Sequence, residues 1–224
     1  MNESVDFYCE RCSDAFWAEP LNALSNVSFL IAAALAYRLA RRQSRLTRPV
    51  VAMIVMACLV GIGSFTFHTF ATRATQVMDI LPIFAFQVYF LWLYLVRFLA
   101  WNRISATVGC VGFLATNLAM IGLPPWLNGS MIYAPTYVLI GAMTVYHNLA
   151  RLPATGWMVT LLISFSLSLC CRTIDMAVCQ SWPLGTHFLW HLINGLVLFA
   201  SIRVVMESEA RPPGRSDHSA SRAH

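Results

Sequence analysis

Three histidines, one aspartate and one serine are the residues of this sequence whose types and spacing best suit chemistry. His187 and His191 are four residues apart, so in a helix they lie on one face, as two ligands of one metal ion must. Ser64 and His68 have the same spacing, which puts the serine hydroxyl one turn from the histidine. Three histidine ligands with a fourth position left open are typical of a catalytic zinc site. Asp79 would then be a general base, or a carboxylate that orients a ligand.

Each of these features has a plainer explanation when it is taken alone. A lone histidine in an apolar helix more often packs against its neighbours, and the spacing of His187 and His191 could equally hold haem or copper. A single serine such as Ser64 is uninformative, because serine commonly packs between membrane helices. His147 has no polar residues grouped with it, so we expect it to pack. The prediction of a metal site therefore depends on whether several ionisable residues lie close together in the fold.

The composition predicts a membrane protein. The chain has 224 residues, of which 58% are apolar and 11% are charged, and its mean hydropathy is +0.63. Soluble domains have about 25% charged residues. A helix needs about 20 mostly apolar residues to span the bilayer, and the stretches that meet this requirement are 21–40, 50–70, 77–99, 104–122, 131–149, 156–173 and 186–206. We therefore predict an all-α, polytopic integral membrane protein with seven transmembrane helices.

These stretches belong to one predicted domain. Residues 1–206 form the seven-helix domain, including an external N-terminal segment, residues 1–20. That segment is acidic and has no apolar core, so it is not a secretory signal. Merging the fourth and fifth stretches into one span is disfavoured by Pro124-Pro125, which interrupts a helix. Residues 207–224 are rich in arginine, serine and proline, and we predict that they form a disordered cytoplasmic tail.

The charge distribution predicts the orientation of the chain. The net charge is +5, and all 15 basic residues are arginines. Because they lie between apolar stretches and not in a separate basic domain, they indicate membrane topology and not binding to nucleic acid. Only three of them, Arg11, Arg73 and Arg172, belong to one face, and the other twelve belong to the opposite face. The positive-inside rule therefore places the N-terminus outside and the C-terminus in the cytoplasm.

This topology brings the histidines and the aspartate to one depth. His68 is near the external end of the second span, Asp79 is at the external start of the third, and His187 and His191 are at the external start of the seventh. Ionisable groups inside a membrane are costly and usually functional. Hydropathy does not force their agreement in depth, so the agreement favours a metal site near the outer face.

A second group of polar residues lies in the N-terminal segment. Its acidic members are Asp6, Glu10, Asp14 and Glu19. Oxygen ligands grouped in this way suit a hard cation such as calcium. The alternative is an acidic strip that faces solvent, and the spacing alone favours that alternative.

The order of these motifs resembles that of the alkaline ceramidases. The motifs are Glu19-x2-Asn22-x2-Ser25-Asn26, Gly63-Ser64-x3-His68-x10-Asp79 and His187-x3-His191. Each motif alone is weak, but their order and their placement on spans one, two, three and seven are specific. The resemblance covers the chain from Tyr8 to the last span. It places the chain in a superfamily of seven-span hydrolases that includes adiponectin receptors and proteins that remodel lipid anchors.

The resemblance implies a role for each matching residue. His68, His187 and His191 would hold zinc, Ser64 would stabilise the developing oxyanion, and Asp79 would activate the attacking water or carry its proton.

The resemblance also implies a calcium site before the first span. Glu10, Glu19 and the Tyr8 carbonyl match its oxygen ligands. Asp6 is displaced by one position, and Cys12 stands where the family has an amide ligand.

The resemblance further implies a disulfide, since Tyr8-Cys9-Glu10 and Ile174-Asp175-x3-Cys179 match the family's pattern. Cys9 and Cys12 both lie on the external face, so Cys12 is a competing partner for Cys179.

Together these features predict a zinc-dependent hydrolase that cleaves the amide of a ceramide-like lipid to a sphingoid base and a fatty acid. One alternative is the same chemistry on an ester of a phospholipid or lipid anchor. Another is a lipid-sensing protein with a structural metal, and a haem or copper carrier is more remote. The expected location is a bacterial inner membrane, or a eukaryotic endomembrane or plasma membrane, with the site towards the outer or lumenal face. The oligomeric state is not predicted.

Overall fold

The computed structural model describes residues 3–121, 124 and 126–208. These residues form eight α-helices, which are α1 (Pro20–Ser25), α2 (Val27–Arg42), α3 (Arg48–Phe70), α4 (Arg73–Arg97), α5 (Arg103–Ile121), α6 (Ala134–Leu149), α7 (Thr155–Val178) and α8 (His187–Ser208). A short 3-10 helix, Ser130–Tyr133, leads directly into α6. The predicted disordered tail begins at residue 207, but residues 207 and 208 belong to the last turn of α8, and the rest of the tail lies outside the described residues.

Six helical segments of the described chain are long and apolar enough to span a membrane. Helices α1 and α2 count together as one of them, Pro20–Arg42, and the others are α3, α4, α5, α7 and α8. Helix α6, which corresponds to the predicted stretch 131–149, has 16 residues. It is therefore shorter than the roughly 20 residues that a span needs. A multi-pass membrane protein is confirmed, and a seventh span stays a prediction.

Helix α5 shows the surface expected of a membrane protein. Ile104, Val108, Val111 and Leu118 are exposed, although they are large and apolar. Their spacing puts them along one side of the helix. A continuous apolar surface of this kind indicates contact with lipid and not with water.

Helix α8 lies at the centre of the bundle and packs against α2, α3, α4 and α7. Its buried side chains run along its whole length, from His187 to Met206. Helices α5 and α6 are peripheral, since they pack mainly on α4 and α7. Polar side chains at the start of α8 are therefore surrounded by protein on most sides.

A tight turn joins α3 to α4. Ala71 has a left-handed conformation with φ of 44°. Thr72 caps the start of α4 reciprocally with Thr75, and its hydroxyl accepts a hydrogen bond from the Thr75 backbone N–H. The N-terminal segment pairs with this turn, because the Val5 N–H donates to the Ala71 carbonyl at 2.8 Å. Residues 3–19 are thereby held over this end of the bundle.

Helices α3 and α4 approach each other closely next to the turn. A Cβ atom at Gly63 would overlap the backbone carbonyl of Met78. Only glycine allows the two backbones to be this close. The approach brings Ser64, the next residue on α3, beside Asp79 on α4.

Candidate metal centre

Three buried histidines converge at the end of the bundle that carries the α3–α4 turn. His68, His187 and His191 are each at most 2% exposed. One ring nitrogen from each can be chosen so that all three lie within 4.8 Å of one another. Nε2 of His68 and Nδ1 of His187 are buried without a hydrogen-bond partner among the described residues. Such orphaned nitrogens fit ligands of a metal ion, so this group could hold one.

Polar side chains from the start of the first span orient two of these rings. Nδ1 of His68 lies 2.6 Å from Oε2 of Glu19, and Nδ1 of His191 lies 2.8 Å from the Ser25 hydroxyl. Each contact occupies Nδ1 and leaves Nε2 as the free nitrogen of that ring. Carboxylates and hydroxyls behind metal-binding histidines fix the tautomer and the ring direction in this way.

The Glu19 carboxylate is almost fully buried, at 1% exposure. Burial by itself would raise its pKa, but hydrogen bonds from His68, Arg11 and Asn22 outweigh burial and hold the pKa below its usual value. Glu19 is therefore ionised at neutral pH, and its carboxylate accepts a hydrogen bond from the Nδ1–H of His68.

The third histidine is positioned by an aromatic ring and by its own backbone. The Tyr8 ring stacks on the His187 ring, with centroids 3.7 Å apart and an interplanar angle of 19°. The fully buried Asp175 accepts hydrogen bonds from the backbone N–H groups of Thr186 and His187 at 2.6 and 2.9 Å, which caps the start of α8. Its other oxygen accepts from the Cys9 N–H at 3.0 Å. One carboxylate thus joins α7, α8 and the N-terminal segment.

A disulfide lies next to this carboxylate. Cys9 and Cys179 are bonded in the structure, with their Cα atoms 5.4 Å apart, while Cys12 is a free, exposed cysteine. Gly185 has φ of +62°, and a Cβ atom there would overlap the Asp175 carboxylate and crowd Cys9. Glycine is required at this position for both reasons.

The predicted base and oxyanion donor lie beside the histidines. Ser64 is buried at 3% exposure on α3, one turn from His68. The Asp79 carboxyl interacts with the Ser64 side chain and, electrostatically, with His68 and Arg172. Its Oδ1 atom is buried without a hydrogen-bond partner in the described part of the chain. A carboxylate oxygen with this freedom is available to accept a proton.

A cavity of about 330 Å³ adjoins the centre. Its polar wall includes Asp79, Tyr8 and Arg172, and the remainder of the lining is largely apolar. A second cavity of about 80 Å³ lies deeper and is lined almost entirely by apolar side chains. Ile83 and Tyr133 contribute to the walls of both. The two cavities are therefore neighbours, one beside Asp79 and the other towards the middle of the bundle.

The residues predicted to bind calcium are brought together only in part. The Glu10 carboxylate accepts hydrogen bonds from the Leu21 and Asn22 N–H groups at 2.7 and 2.8 Å, and burial raises its pKa. The Tyr8 carbonyl accepts from the Arg11 N–H at 3.1 Å. Asp6 is exposed.

Both oxygens of the fourth residue, Glu19, are bonded to Arg11, His68 and Asn22. In the structure these donors already occupy Glu10, Glu19 and the Tyr8 carbonyl, and one donor, Arg11, is a cation. This arrangement does not fit a calcium ion.

Sequence reasoning missed three residues of this site. Arg11 was counted only as a charge that reports topology, Asp175 only as part of a cysteine motif, and Ser25 only as part of the first motif. Helix α7 continues to Val178, which places Asp175 inside a candidate span. The rule that selects ionisable residues in spans could therefore have found Asp175. No periodic pattern in the sequence could have identified Arg11, because it lies in a non-helical segment.

The comparisons with known proteins agree with the resemblance seen in the motifs. A family model described as ceramidase matches residues 4–218, which is nearly the whole chain. A comparison with curated proteins finds no significant match. The matched region includes the three histidines, Asp79 and the N-terminal segment that holds them. The chain belongs to the ceramidase family.

Proposed function

We propose that the protein is a zinc-dependent amidohydrolase that cleaves ceramide-like lipids within the membrane to a sphingoid base and a fatty acid. The observation that carries this proposal is the group of three buried histidines with nitrogens within 4.8 Å of one another, next to a carboxylate and an apolar cavity. Membership of the ceramidase family implies hydrolase activity on a lipid. Zinc is the metal that three histidines with an open fourth position suit best.

The histidines would hold the metal through nitrogens that the surrounding protein has already selected. Glu19 and Ser25 occupy the Nδ1 atoms of His68 and His191, and Tyr8 stacks against His187. The three rings therefore do not have to reorient when an ion binds. A bound zinc ion would lower the pKa of a coordinated water to about 7 and polarise the amide carbonyl.

Asp79 and Ser64 would carry out the proton transfer and the charge stabilisation. Asp79 would accept the proton that water loses as its oxygen attacks the amide carbon. It would then return that proton to the amide nitrogen as the C–N bond breaks, releasing the sphingoid base. Ser64 would donate a hydrogen bond to the carbonyl oxygen as negative charge develops there.

The two cavities would receive the lipid. A volume of about 330 Å³ with an apolar lining is sufficient for the amide and the start of a hydrocarbon chain. The deeper cavity of about 80 Å³ would receive methylene groups beyond it. Arg172 and Tyr133 would face the polar part of the substrate, since they lie on the wall that also carries Asp79.

The orientation belongs to the same proposal. With twelve arginines predicted on one face, the centre would lie towards the outer or lumenal side. A reporter fused after Arg222 should read cytoplasmic, and one placed before Asp6 should read external. An impermeant reagent that labels the tail in intact cells would contradict this orientation.

The test of the activity is mass spectrometry of lipids incubated with the purified protein in detergent. We expect ceramides to yield equimolar fatty acid and sphingoid base. Release of fatty acid from phospholipids and not from ceramides would assign an esterase instead. If every lipid class stayed intact in the presence of bound zinc, the metal would be structural and the proposal would fail.

A further inference from the structure

We propose that the Arg11 guanidinium takes the place of a bound calcium ion at the first-span end of the site, so that the protein positions His68 without calcium. Arg11 would be a positioning residue that acts through Glu19. The inference rests on the proposed role of His68 as a metal ligand. It does not depend on which lipid is cleaved.

The Arg11 side chain is buried in the acidic part of the N-terminal segment. Its Nε lies 2.5 Å from Oε1 of Glu19, and the two side chains are 2% and 1% exposed. The same guanidinium donates from Nη1 to the Ser13 carbonyl at 3.0 Å and from Nη2 to the His68 carbonyl at 3.3 Å. All three guanidinium nitrogens therefore have oxygen partners, as a cation among oxygen ligands would.

These contacts connect Arg11 to both the backbone and the imidazole ring of His68. The guanidinium binds the backbone carbonyl of His68 directly, and through Glu19 it reaches Nδ1 of the imidazole ring. A buried carboxylate without a positive partner would be strongly destabilising. Arg11 thus supplies the positive partner that holds the buried Glu19 carboxylate in place behind the ring.

A tethered guanidinium differs from a bound ion in its consequences. Arginine remains charged at all physiological pH values and cannot dissociate from the chain. Its three contacts also occupy the space around Glu19 from which a calcium ion would have to coordinate the carboxylate. We therefore expect the stability of the site to be the same with and without calcium.

The first experiment uses the unaltered protein, purified in detergent without added calcium. Elemental analysis should find no stoichiometric calcium, and millimolar CaCl2 should leave the melting temperature unchanged. A calcium content near one per chain, or a melting temperature that rises with CaCl2, would overturn the proposal. Neither readout uses lipid turnover, so failure of the proposed function would not be mistaken for failure of this inference.

The second experiment compares Arg11→Met with Arg73→Met. Arg73 also forms an ion pair in this region, with Glu3, but that pair is exposed and its closest N–O distance is 3.9 Å. We expect Arg11→Met to lower the melting temperature by about 10 °C, because it leaves a buried carboxylate unpaired. Arg73→Met should have the same melting temperature as the unaltered protein.

The decisive comparison is the response of the variants to calcium. The melting temperature of folded Arg11→Met should rise when CaCl2 is added, since the vacated oxygens of Glu19, Ser13 and His68 can then take the ion. Its zinc affinity should fall by about 10-fold or more. Arg11→Lys should remain insensitive to calcium because the lysine keeps the charge. A folded Arg11→Met protein that does not respond to calcium would overturn the proposal.

Discussion

Both ends of the helical bundle contain buried histidine, but the side chains around the ring nitrogens differ between the two ends. At one end, Glu19 and Ser25 hold the Nδ1 atoms of two converging histidines. At the other end, His147 is fully buried against the rings of Tyr94 and Phe98, and no polar side chain of the described chain holds either of its ring nitrogens. Burial alone therefore does not mark a functional histidine. A functional histidine is marked instead by polar partners that orient its ring nitrogens.

Charged residues also have different tasks at the two ends. At the His147 end, Arg45 and Arg97 donate to the Met206 and Val205 carbonyls near the end of α8. Such contacts satisfy the last carbonyls of a helix and have a structural role. At the other end, Asp175 caps the start of α8, while Asp79 keeps a buried oxygen without a partner among the described residues. A buried carboxylate oxygen without a partner among the described residues is thus found next to the histidine group, where hydrolysis needs a proton acceptor.

The largest difference between the ends should appear in lipid turnover. His191→Ala removes a metal ligand, and we expect hydrolysis to fall to the level of the uncatalysed assay. His147→Phe keeps an aromatic ring against Tyr94 and Phe98, and its kcat should be unchanged. Equal losses in the two folded variants, measured by fatty acid release, would mean that the histidine group has no special role.

A smaller loss is expected when the metal ligands are kept and their neighbours are changed. Asp79→Asn should lose roughly 10²-fold in kcat because a general base is removed, and Ser64→Ala should lose a similar amount if the serine is an oxyanion donor. Thr66→Ala is the matched control, because Thr66 lies two residues after Ser64 on α3 and its hydroxyl donates to the Ile62 carbonyl. Unchanged kcat in either variant would remove that residue from the mechanism.

The convergence of the histidines could be predicted because it depends on regular geometry. The i, i+4 rule puts His187 and His191 on one face, and the order of the spans puts His68 at the same depth. The predicted stretches match the observed helices closely, and only 131–149 does not form a long helix, because its first residues adopt a 3-10 conformation. Helical periodicity and hydropathy decide these features.

The partners of the histidines could not be predicted, since they depend on an irregular segment. Tyr8 and Arg11 lie in the N-terminal segment, and no sequence period fixes its path. The path is set by the pairing of Val5 with the α3–α4 turn and by the bond between Cys9 and Cys179. As a result, the family resemblance suggested Glu19 as a possible calcium ligand, whereas the structure places it between Arg11 and His68.

Loss of the orienting carboxylate should weaken the metal site without abolishing it. Glu19→Gln keeps the shape of the side chain but removes its charge, and we expect zinc affinity to fall by about 10- to 100-fold. Glu3→Gln, at an exposed position of the same segment, is the control. Competition with a chromogenic chelator measures both affinities, and identical values would show that Glu19 does not support His68.

The smallest expected effect concerns the disulfide. Cys9→Ser/Cys179→Ser should lower the free energy of unfolding by a few kcal/mol, because the bond closes a loop of 170 residues. Cys12→Ser should have no effect, since Cys12 is exposed and free. Non-reducing peptide mapping of the unaltered protein should recover a peptide that joins Cys9 to Cys179. Free thiols at both positions would contradict this linkage.

Metal content tests the central claim most directly. The unaltered protein, purified in detergent, should contain about one zinc ion per chain, held by His68, His187 and His191. The folded His187→Ala/His191→Ala double variant should contain almost none, while His147→Phe should retain the full amount. A double variant that is folded and still contains as much zinc as the unaltered protein would contradict the account.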